Sequence, residues 1–226
     1  MTNSINAIVT DVEGTTSSLS FVKDILFPYA AERIADYVRE NKDRLTSIMD
    51  EVRDIERNYE LTSEDIIDLL LRWAAEDQKL KPLKTIQGLI WKGGYESGAL
   101  KGHIYEDAWK ALQSWHDEGI RLYVYSSGSV TAQRLIFGHT SYGDLTPLFS
   151  GHFDTEIGGK KEASSYRTIA AEIGQPPAKI LFLSDIQAEI DAAAQAGFQT
   201  MLVDRDHKNK NAVHSFADIV LKEKAA

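Results

Sequence analysis

The amino-acid sequence predicts an α/β protein with a doubly wound, mostly parallel sheet and an all-helical domain inserted after the first strand. Three observations carry this prediction. Short apolar segments of strand length alternate with helical patterns through residues 99–226. Residues 17–98 show helical spacing and no comparable strand signal. Acidic or hydroxyl side chains follow several of the predicted strands, at the sheet edge where parallel sheets bind ligands.

Composition narrows the functional classes. The chain has 226 residues, 43% apolar and 26% charged, which suits one large domain or a domain carrying a smaller inserted one. A net charge of −9 argues against an extended nucleic-acid surface. The absence of cysteine excludes disulfides, thiol nucleophiles and cysteine-bound zinc. The longest apolar runs are too short to span a bilayer, so we expect no membrane partner. The net negative charge likewise leads us to expect no nucleic-acid partner.

The first predicted strand ends at two carboxylates. Ala7 to Val9 are apolar, and Asp11 and Glu13 follow two residues apart, which places both side chains on one side of an extended chain. Gly14 then permits a sharp turn. A strand followed by an ordinary polar turn explains the same residues, so this stretch alone does not decide between structure and chemistry.

Residues 17–98 are predicted to form the inserted helical cap. Apolar residues recur there every three or four positions, and Thr62 with Asp65 forms a capping-box pattern ahead of one helix. The glycine-rich segment from Gly93 to Gly98 predicts a return to the core and a hinge. The predicted core is therefore 1–16 with 99–226. Because the insertion leaves the sheet at the edge that carries Asp11, we expect it to act as a lid.

The second half of the chain alternates helices with strands. The patterns predict helices over 107–118, 130–137, 166–173 and 186–196, strands over 121–125, 179–183 and 199–203, a loop around Pro147, and a last short helix and strand, the latter near 219–221.

A serine-rich turn follows the strand at 121–125. Ser126, Ser127 and Gly128 precede a helix, and hydroxyl and backbone N–H groups at a helix start suit a phosphate group. A plain serine N-cap is the alternative interpretation of this turn.

Lysines and further carboxylates lie in the remaining loops. Lys160 and Lys161 precede a helix, where a lysine either neutralises phosphate and keeps a nearby carboxylate ionised or is simply solvated. Asp185 follows a buried strand, and Glu189 comes one helical turn later; a helix N-cap is the alternative for Asp185. Two strands that each bring an acid to one edge predict an oxygen-rich Mg²⁺ site.

The order of these four stretches resembles the haloacid dehalogenase superfamily of aspartate-nucleophile phosphatases. The first motif of that superfamily is usually Asp-x-Asp-x-Thr, and Glu13 stands here in place of the second Asp. That departure, together with the segments SFVKDILFPYA, GGKKEASSYRTIA and ILFLSDIQAE, is similar to the enolase-phosphatase family of methionine salvage. The similarity covers most of the core and the start of the insertion.

The resemblance implies a fold and an activity. It implies a HAD-like Rossmannoid core and an enzyme that enolises 2,3-diketo-5-methylthiopentyl-1-phosphate and then hydrolyses its phosphate ester, giving 1,2-dihydroxy-3-keto-5-methylthiopentene. It further implies one Mg²⁺ ion, a cytoplasmic location and a monomer. Two alternatives stay open: another Mg²⁺-dependent phosphatase or phosphomutase on the same scaffold, and a non-enzymatic binding protein.

The resemblance also implies a role for each motif residue. Asp11 would be the nucleophile and a metal ligand, and Glu13 the general acid/base, with its backbone carbonyl on the metal. Lys160 would pair with phosphate and Asp11, with Lys161 as the alternative register. The remaining implied groups bind phosphate (Ser126, Ser127, Gly128), complete the Mg²⁺ shell (Asp185) and support that shell (Glu189).

Overall fold

The computed structural model describes residues 5–221, and these divide into two compact units. One unit runs to Leu19 and resumes at Lys101, and the other is Ser20–Leu100. These boundaries lie three residues beyond the predicted 16 and two beyond the predicted 98. No helix in the described part of the chain has the length and apolar character needed to cross a membrane.

The regular secondary structure of the unit Ser20–Leu100 is entirely helical. A six-residue π-helix, Phe21–Leu26, runs directly into α1 (Phe27–Ala31), and the change of helix type lies next to Pro28, which has no N–H to continue the ladder of the preceding turn. The predicted Thr62–Asp65 capping box is present at the start of α4. The helices are α1 (Phe27–Ala31), α2 (Ile34–Asn41), α3 (Thr46–Glu56), α4 (Ser63–Ala75) and α5 (Lys81–Glu96).

The other unit is built on a five-stranded sheet in which every pairing is parallel. Its spatial order is β3-β2-β1-β4-β5, so the first strand lies in the centre. This confirms the predicted doubly wound fold. The strands are β1 (Ala7–Thr10), β2 (Arg121–Tyr125), β3 (Phe149–Phe153), β4 (Ile180–Ser184) and β5 (Gln199–Leu202).

Helices cover this sheet, and α8 and α9 form one buried cluster with it. Tyr166 of α8 has no exposed surface, and its ring makes edge-to-face contacts with Tyr125, Phe182 and Phe198. The helices of this unit are α6 (Glu106–Asp117), α7 (Val130–Gly138), α8 (Ala163–Ile173) and α9 (Gln187–Gln195).

Two strand predictions were wrong. β3 lies in the segment predicted as a loop around Pro147, and it escaped notice because Gly151 and His152 interrupt its apolar pattern. Such a sequence is tolerated because β3 is an edge strand that pairs only with β2. At the other end, the last three described residues, 219–221, form no strand; they follow a single 3₁₀ turn at Phe216–Asp218.

The glycine-rich return to the core begins later in the chain than predicted, and the hinge expected there stays a prediction. Gly93 and Gly94 lie inside α5, which continues to Glu96. A Cβ atom on Gly94 would lie 2.8 Å from Tyr29 and Leu100, so this glycine permits close packing. Only Gly98, after the helix end, adopts a left-handed φ of +75°.

Alanine substitutions at two glycines of this unit are expected to have opposite effects on stability. Gly88 is helical with open space around it, so Gly88→Ala should raise the free energy of unfolding by about 0.5–1 kcal/mol. Gly98→Ala should lower it by about 1 kcal/mol or more because alanine resists that positive φ. Urea unfolding followed by circular dichroism measures both, and shifts in the same direction would contradict this assignment of conformations.

Candidate active site

Three strands of the sheet deliver polar side chains to one place. Asp11 follows β1, Ser126 follows β2 and Asp185 follows β4, and β1 pairs with both of the others. The Asp11 N–H continues the ladder by donating to the Leu183 carbonyl at 2.9 Å. From β1 the chain adds β2 and β3 on one side and then β4 and β5 on the other, so the strand order switches between β1 and β4. Such a switch point is the usual place for a ligand in these folds.

Lys160 joins two of the acidic side chains. Its Nζ lies 2.6 Å from Asp11 Oδ1 and 2.7 Å from Glu189 Oε2, and none of the three side chains is more than 9% exposed. Burial by itself would lower the pKa of Lys160, but the two carboxylates outweigh it and raise the pKa above its ordinary value. The ammonium therefore stays charged, while the Lys161 side chain is exposed.

Three hydroxyl groups fix the loop that carries Lys160. Tyr125 donates to the Gly158 carbonyl at 2.9 Å, and Ser165 donates to the Gly159 carbonyl at 2.8 Å. Tyr166 donates to the carbonyl of Lys160 itself at 2.6 Å. No sequence motif marks these positioning groups, because a tyrosine or serine in a helix or strand is common. The aromatic core thus sets the position of the lysine.

The turn after β1 connects Asp11 with Asp185. The Thr15 hydroxyl accepts a hydrogen bond from the Asp185 N–H at 3.1 Å, and the Thr16 hydroxyl donates to the Asp11 carbonyl at 3.1 Å. Gly14 has a φ of +76°, and a Cβ atom there would clash with the Asp185 carboxylate. Glycine is therefore required for its backbone conformation and for the close approach of Asp185.

Asp185 has the environment of a cation ligand. Its Oδ1 is buried and has no hydrogen-bond partner among the described residues. Burial, with the nearby charge of Asp11, raises the pKa of the Asp185 carboxyl to about 7. A buried carboxylate oxygen without a donor, beside a second carboxylate, fits a bound cation.

The residues around Asp185 suit a cation that binds only a few side-chain ligands. In the described part of the chain, no three His, Cys, Asp or Glu side chains form a cluster suited to a metal. The predicted set has only two carboxylates, Asp11 and Asp185, with the backbone carbonyl of Glu13. Mg²⁺ typically keeps several waters and binds substrate phosphate oxygens, so a set of this size is compatible with it.

Glu189 lies beside Lys160. Besides its ion pair with Lys160, its Oε2 accepts a hydrogen bond from the Ser184 hydroxyl at 2.8 Å. Burial raises the pKa of Glu189, and Lys160 and Ser184 oppose that rise. In this structure Glu189 therefore orients Lys160, and its support of the metal shell stays a prediction.

Two serines of the serine-rich turn after β2 have different hydrogen-bonding roles. Ser126 is 3% exposed, and its hydroxyl accepts from the Gly128 N–H at 3.2 Å. Ser129 is the N-cap of α7, accepting from Ala132, and Asp154 accepts from the Val130 N–H at 3.1 Å. The N-cap alternative thus describes Ser129. A phosphate group here would use the Ser126 hydroxyl and the turn, with the Gly128 N–H changing its partner.

Gln133 fixes this turn from behind. It is 1% exposed, and its Nε2 donates to the carbonyls of Gly128 and Phe153 at 2.9 and 2.8 Å. Its Oε1 lies 3.1 Å from His152 Nδ1. Burial, helped by the charge of Arg134, lowers the pKa of His152 to about 4, so this imidazole is neutral at pH 7. Neither residue was identified from the sequence, because only the fold brings them together.

The fold and this arrangement of carboxylates, lysine and serine define a class of enzyme. A family model described as haloacid dehalogenase-like hydrolase matches residues 5–197, which include every predicted site residue. The chain therefore belongs to the haloacid dehalogenase-like hydrolases, and the predicted superfamily is confirmed.

Its relatives narrow the class to the enolase-phosphatase E1 family. Enolase-phosphatase E1 of Methylococcus capsulatus is 52% identical over 93% of both chains. Enolase-phosphatase E1 of Thioalkalivibrio sulfidiphilus is 54% identical over 88% of this chain and 89% of its own. The crystal structure of the UTR4 protein of Saccharomyces cerevisiae is 32% identical with a TM-score of 0.79, covering 95% of this chain and all of that one.

Replacing Lys160 should abolish most phosphatase activity. Lys160→Met removes the ammonium that touches Asp11, and we expect kcat for phosphate release to fall by about 10²–10³-fold, the scale for losing one preorganised charge-stabilising donor. Lys161→Met is the matched control and should retain activity because that side chain is exposed. Both variants are compared in a phosphate-release assay after circular dichroism has verified their folding. Loss of activity in Lys161→Met instead of Lys160→Met would reverse the assignment.

His152 should make the protein sensitive to acid. Its folded-state pKa of about 4 lies below the ordinary 6.5, so between these values the unfolded chain binds a proton that the folded protein lacks. The free energy of unfolding should therefore fall as pH drops through this window, by at most about 1.4 kcal/mol per pH unit.

The measurement is urea unfolding between pH 6.5 and pH 4. His152→Asn should flatten the pH dependence, since it removes the titrating group and keeps a donor for Gln133. His116→Asn, at an exposed histidine, is the control and should keep the wild-type slope. An unchanged slope in His152→Asn would show that other groups cause the acid sensitivity.

Proposed function

We propose that this chain is an enolase-phosphatase of methionine salvage. Its substrate would be 2,3-diketo-5-methylthiopentyl-1-phosphate and its product 1,2-dihydroxy-3-keto-5-methylthiopentene. The observation that carries the chemistry is the buried Asp11 carboxylate, held at 2.6 Å by Lys160 at the switch point of the sheet, with Glu13 two residues away. The substrate is the one that the resemblance to enolase-phosphatases implies, and relatives named enolase-phosphatase E1 support this choice.

Asp11 is proposed as the phosphoryl acceptor. Lys160 binds its Oδ1, which leaves Oδ2 to attack phosphorus while the ester P–O bond breaks and Glu13 gives a proton to the leaving oxygen. Water then attacks the aspartyl-phosphate, Glu13 takes the proton of that water, and the P–O bond to Asp11 breaks. Phosphate is released, and both carboxylates return to their starting states. Lys160 and the Ser126 hydroxyl would stabilise the charge on the phosphoryl oxygens.

Glu13 is proposed to catalyse the enolisation as well. Its side chain is one methylene longer than the usual aspartate, which extends its reach from a leaving oxygen to a carbon-bound proton. Glu13, starting as the carboxylate, would remove a proton from the carbon next to a keto group while the electron pair moves onto the keto oxygen, which takes a proton from water. Glu13 is then protonated, as its proton transfer to the leaving oxygen requires, and it returns this proton to solvent after phosphate is released. The net change is a keto–enol tautomerisation, so no oxidant or reductant is needed.

Mg²⁺ is the proposed cofactor. Asp11, Asp185 and the backbone carbonyl of Glu13 would hold it, in keeping with the buried Asp185 Oδ1 that has no donor among the described residues. A bound Mg²⁺ ion would supply Lewis-acid stabilisation of negative charge on keto and phosphoryl oxygens. The covering role of the helical unit, the monomeric state and the cytoplasmic location stay predictions.

Ultraviolet spectra recorded during turnover, with a parallel phosphate assay, test the proposal. Wild-type protein with Mg²⁺ and the diketo-phosphate should give an enol absorbance and release phosphate, and Asp11→Asn should lower phosphate release by about 10⁴-fold. Glu13→Asp should slow enolisation more than hydrolysis of a simple phosphate ester, and equal losses would exclude the dual role of Glu13. Turnover of simple esters alone would instead favour another phosphatase of this class.

A further inference from the structure

Arg205 contacts the turn that carries the nucleophile, although no sequence motif marks it. Its side chain is 12% exposed and lies in the segment after β5. The Nε and Nη2 atoms both donate to the Thr15 carbonyl, at 3.1 and 2.8 Å, and Nη1 donates to Asp107 Oδ2 at 2.6 Å. One planar guanidinium thus connects the Asp11 turn with the start of α6.

The guanidinium is held rigidly by its surroundings. It lies over the Tyr105 ring at 4.3 Å from the ring centre and faces the Phe216 ring at 5.0 Å. Asp107 is held in turn, since its Oδ2 also accepts from the Ser215 hydroxyl and the Phe216 N–H, each at 2.7 Å. A guanidinium fixed in this way has little freedom to rotate, so it can hold the Thr15 carbonyl in one position.

The residue that Arg205 holds is the one that contacts Asp185. The Thr15 hydroxyl accepts from the Asp185 N–H at 3.1 Å, and the preceding Gly14 packs against the Asp185 carboxylate. A second restraint acts next to it, where the Tyr105 N–H donates to the Thr16 carbonyl at 3.0 Å. Arg205 therefore binds Thr15, the same residue whose hydroxyl contacts Asp185, in the turn that follows Asp11.

We propose that Arg205 is a positioning residue that sets the spacing of the Asp11 and Asp185 carboxylates through the Thr15 carbonyl, and thereby the binding of a divalent cation and the rate of phosphoryl transfer. The role in transfer rests on the function proposed above, whereas the role in cation binding rests on the geometry alone. Arg205 touches neither the nucleophile nor Asp185. Its loss should therefore loosen the site without removing any reacting group.

A matched pair of variants separates positioning from simple stabilisation. Arg205→Met keeps an unbranched stem between Tyr105 and Phe216 and removes both donors to Thr15. Asp107→Asn is the control, because its amide oxygen can still accept from Arg205 and from a second donor while the ionic charge is lost. Arg205→Lys keeps the charge, but a single ammonium has only part of the fork geometry.

The readouts are the Kd of Mg²⁺ by calorimetry without substrate, and kcat and KM for phosphate release. Arg205→Met should weaken Mg²⁺ binding and lower kcat by about 10–100-fold, with KM changed by less than about threefold. Asp107→Asn should change each quantity by less than about threefold, and Arg205→Lys should recover part of the loss. Urea unfolding of all four proteins verifies that the variants are folded.

Three results would overturn the proposal. They are unchanged Mg²⁺ binding in Arg205→Met, equal losses in Arg205→Met and Asp107→Asn, and a wild-type protein that binds no Mg²⁺. Equal losses would assign the effect to the ion pair and thus to stability. If the wild type binds Mg²⁺ but releases no phosphate, the proposed function fails, and the calorimetric comparison still decides the role of Arg205.

Discussion

The ion pair between Lys160 and the carboxylates of Asp11 and Glu189 is the constraint around which the site is built. Removing one partner of a buried pair typically costs about 3–5 kcal/mol, because the remaining charge is left without compensation. Lys160 lies 2.6 Å from Asp11 and 2.7 Å from Glu189, and the surrounding packing holds all three side chains in place. The same contacts suit the proposed catalysis, because Lys160 orients one oxygen of the Asp11 carboxylate.

The hydrophobic core and the site are coupled through hydroxyl groups. Tyr125 and Tyr166 bury their rings against each other, and their phenol oxygens bind the carbonyls of Gly158 and Lys160. Gln133 of α7 likewise uses its buried amide to fix the turn after β2. Side chains that fill the core thus also determine where the reactive groups stand, and a packing defect there would reach the site directly.

The charged groups that contact the turn after β1 come from distant parts of the sequence. Arg205 and Asp107 are separated by 98 residues yet form a 2.6 Å contact, and Arg205 continues to the Thr15 carbonyl. A parallel sheet makes such convergence ordinary, since all its strands end at one edge. The turn after β1 is the shared element, because Gly14 and Thr15 both contact Asp185.

The sequence by itself determined the fold class and the helical insertion, and it predicted the residues to which we assign the chemistry. Each of those has a local signal: periodicity for the elements, and an acid, serine or lysine just after a strand or glycine for the site. The motif order also indicated the family, which the comparisons bear out. Among the strands, β3 escaped because an edge position tolerates the weak pattern of Gly151 and His152.

Only the tertiary structure decided which groups position the reactive ones. Lys160 and Lys161 are equivalent neighbours in the sequence, and the register of one loop decides which of them reaches Asp11. Glu189 binds Lys160, and Tyr166, Gln133 and Arg205 act through backbone carbonyls. A carbonyl is present in every residue, so no pattern of side chains reveals which one will be bound. That choice is made when strands and loops far apart in the chain pack together.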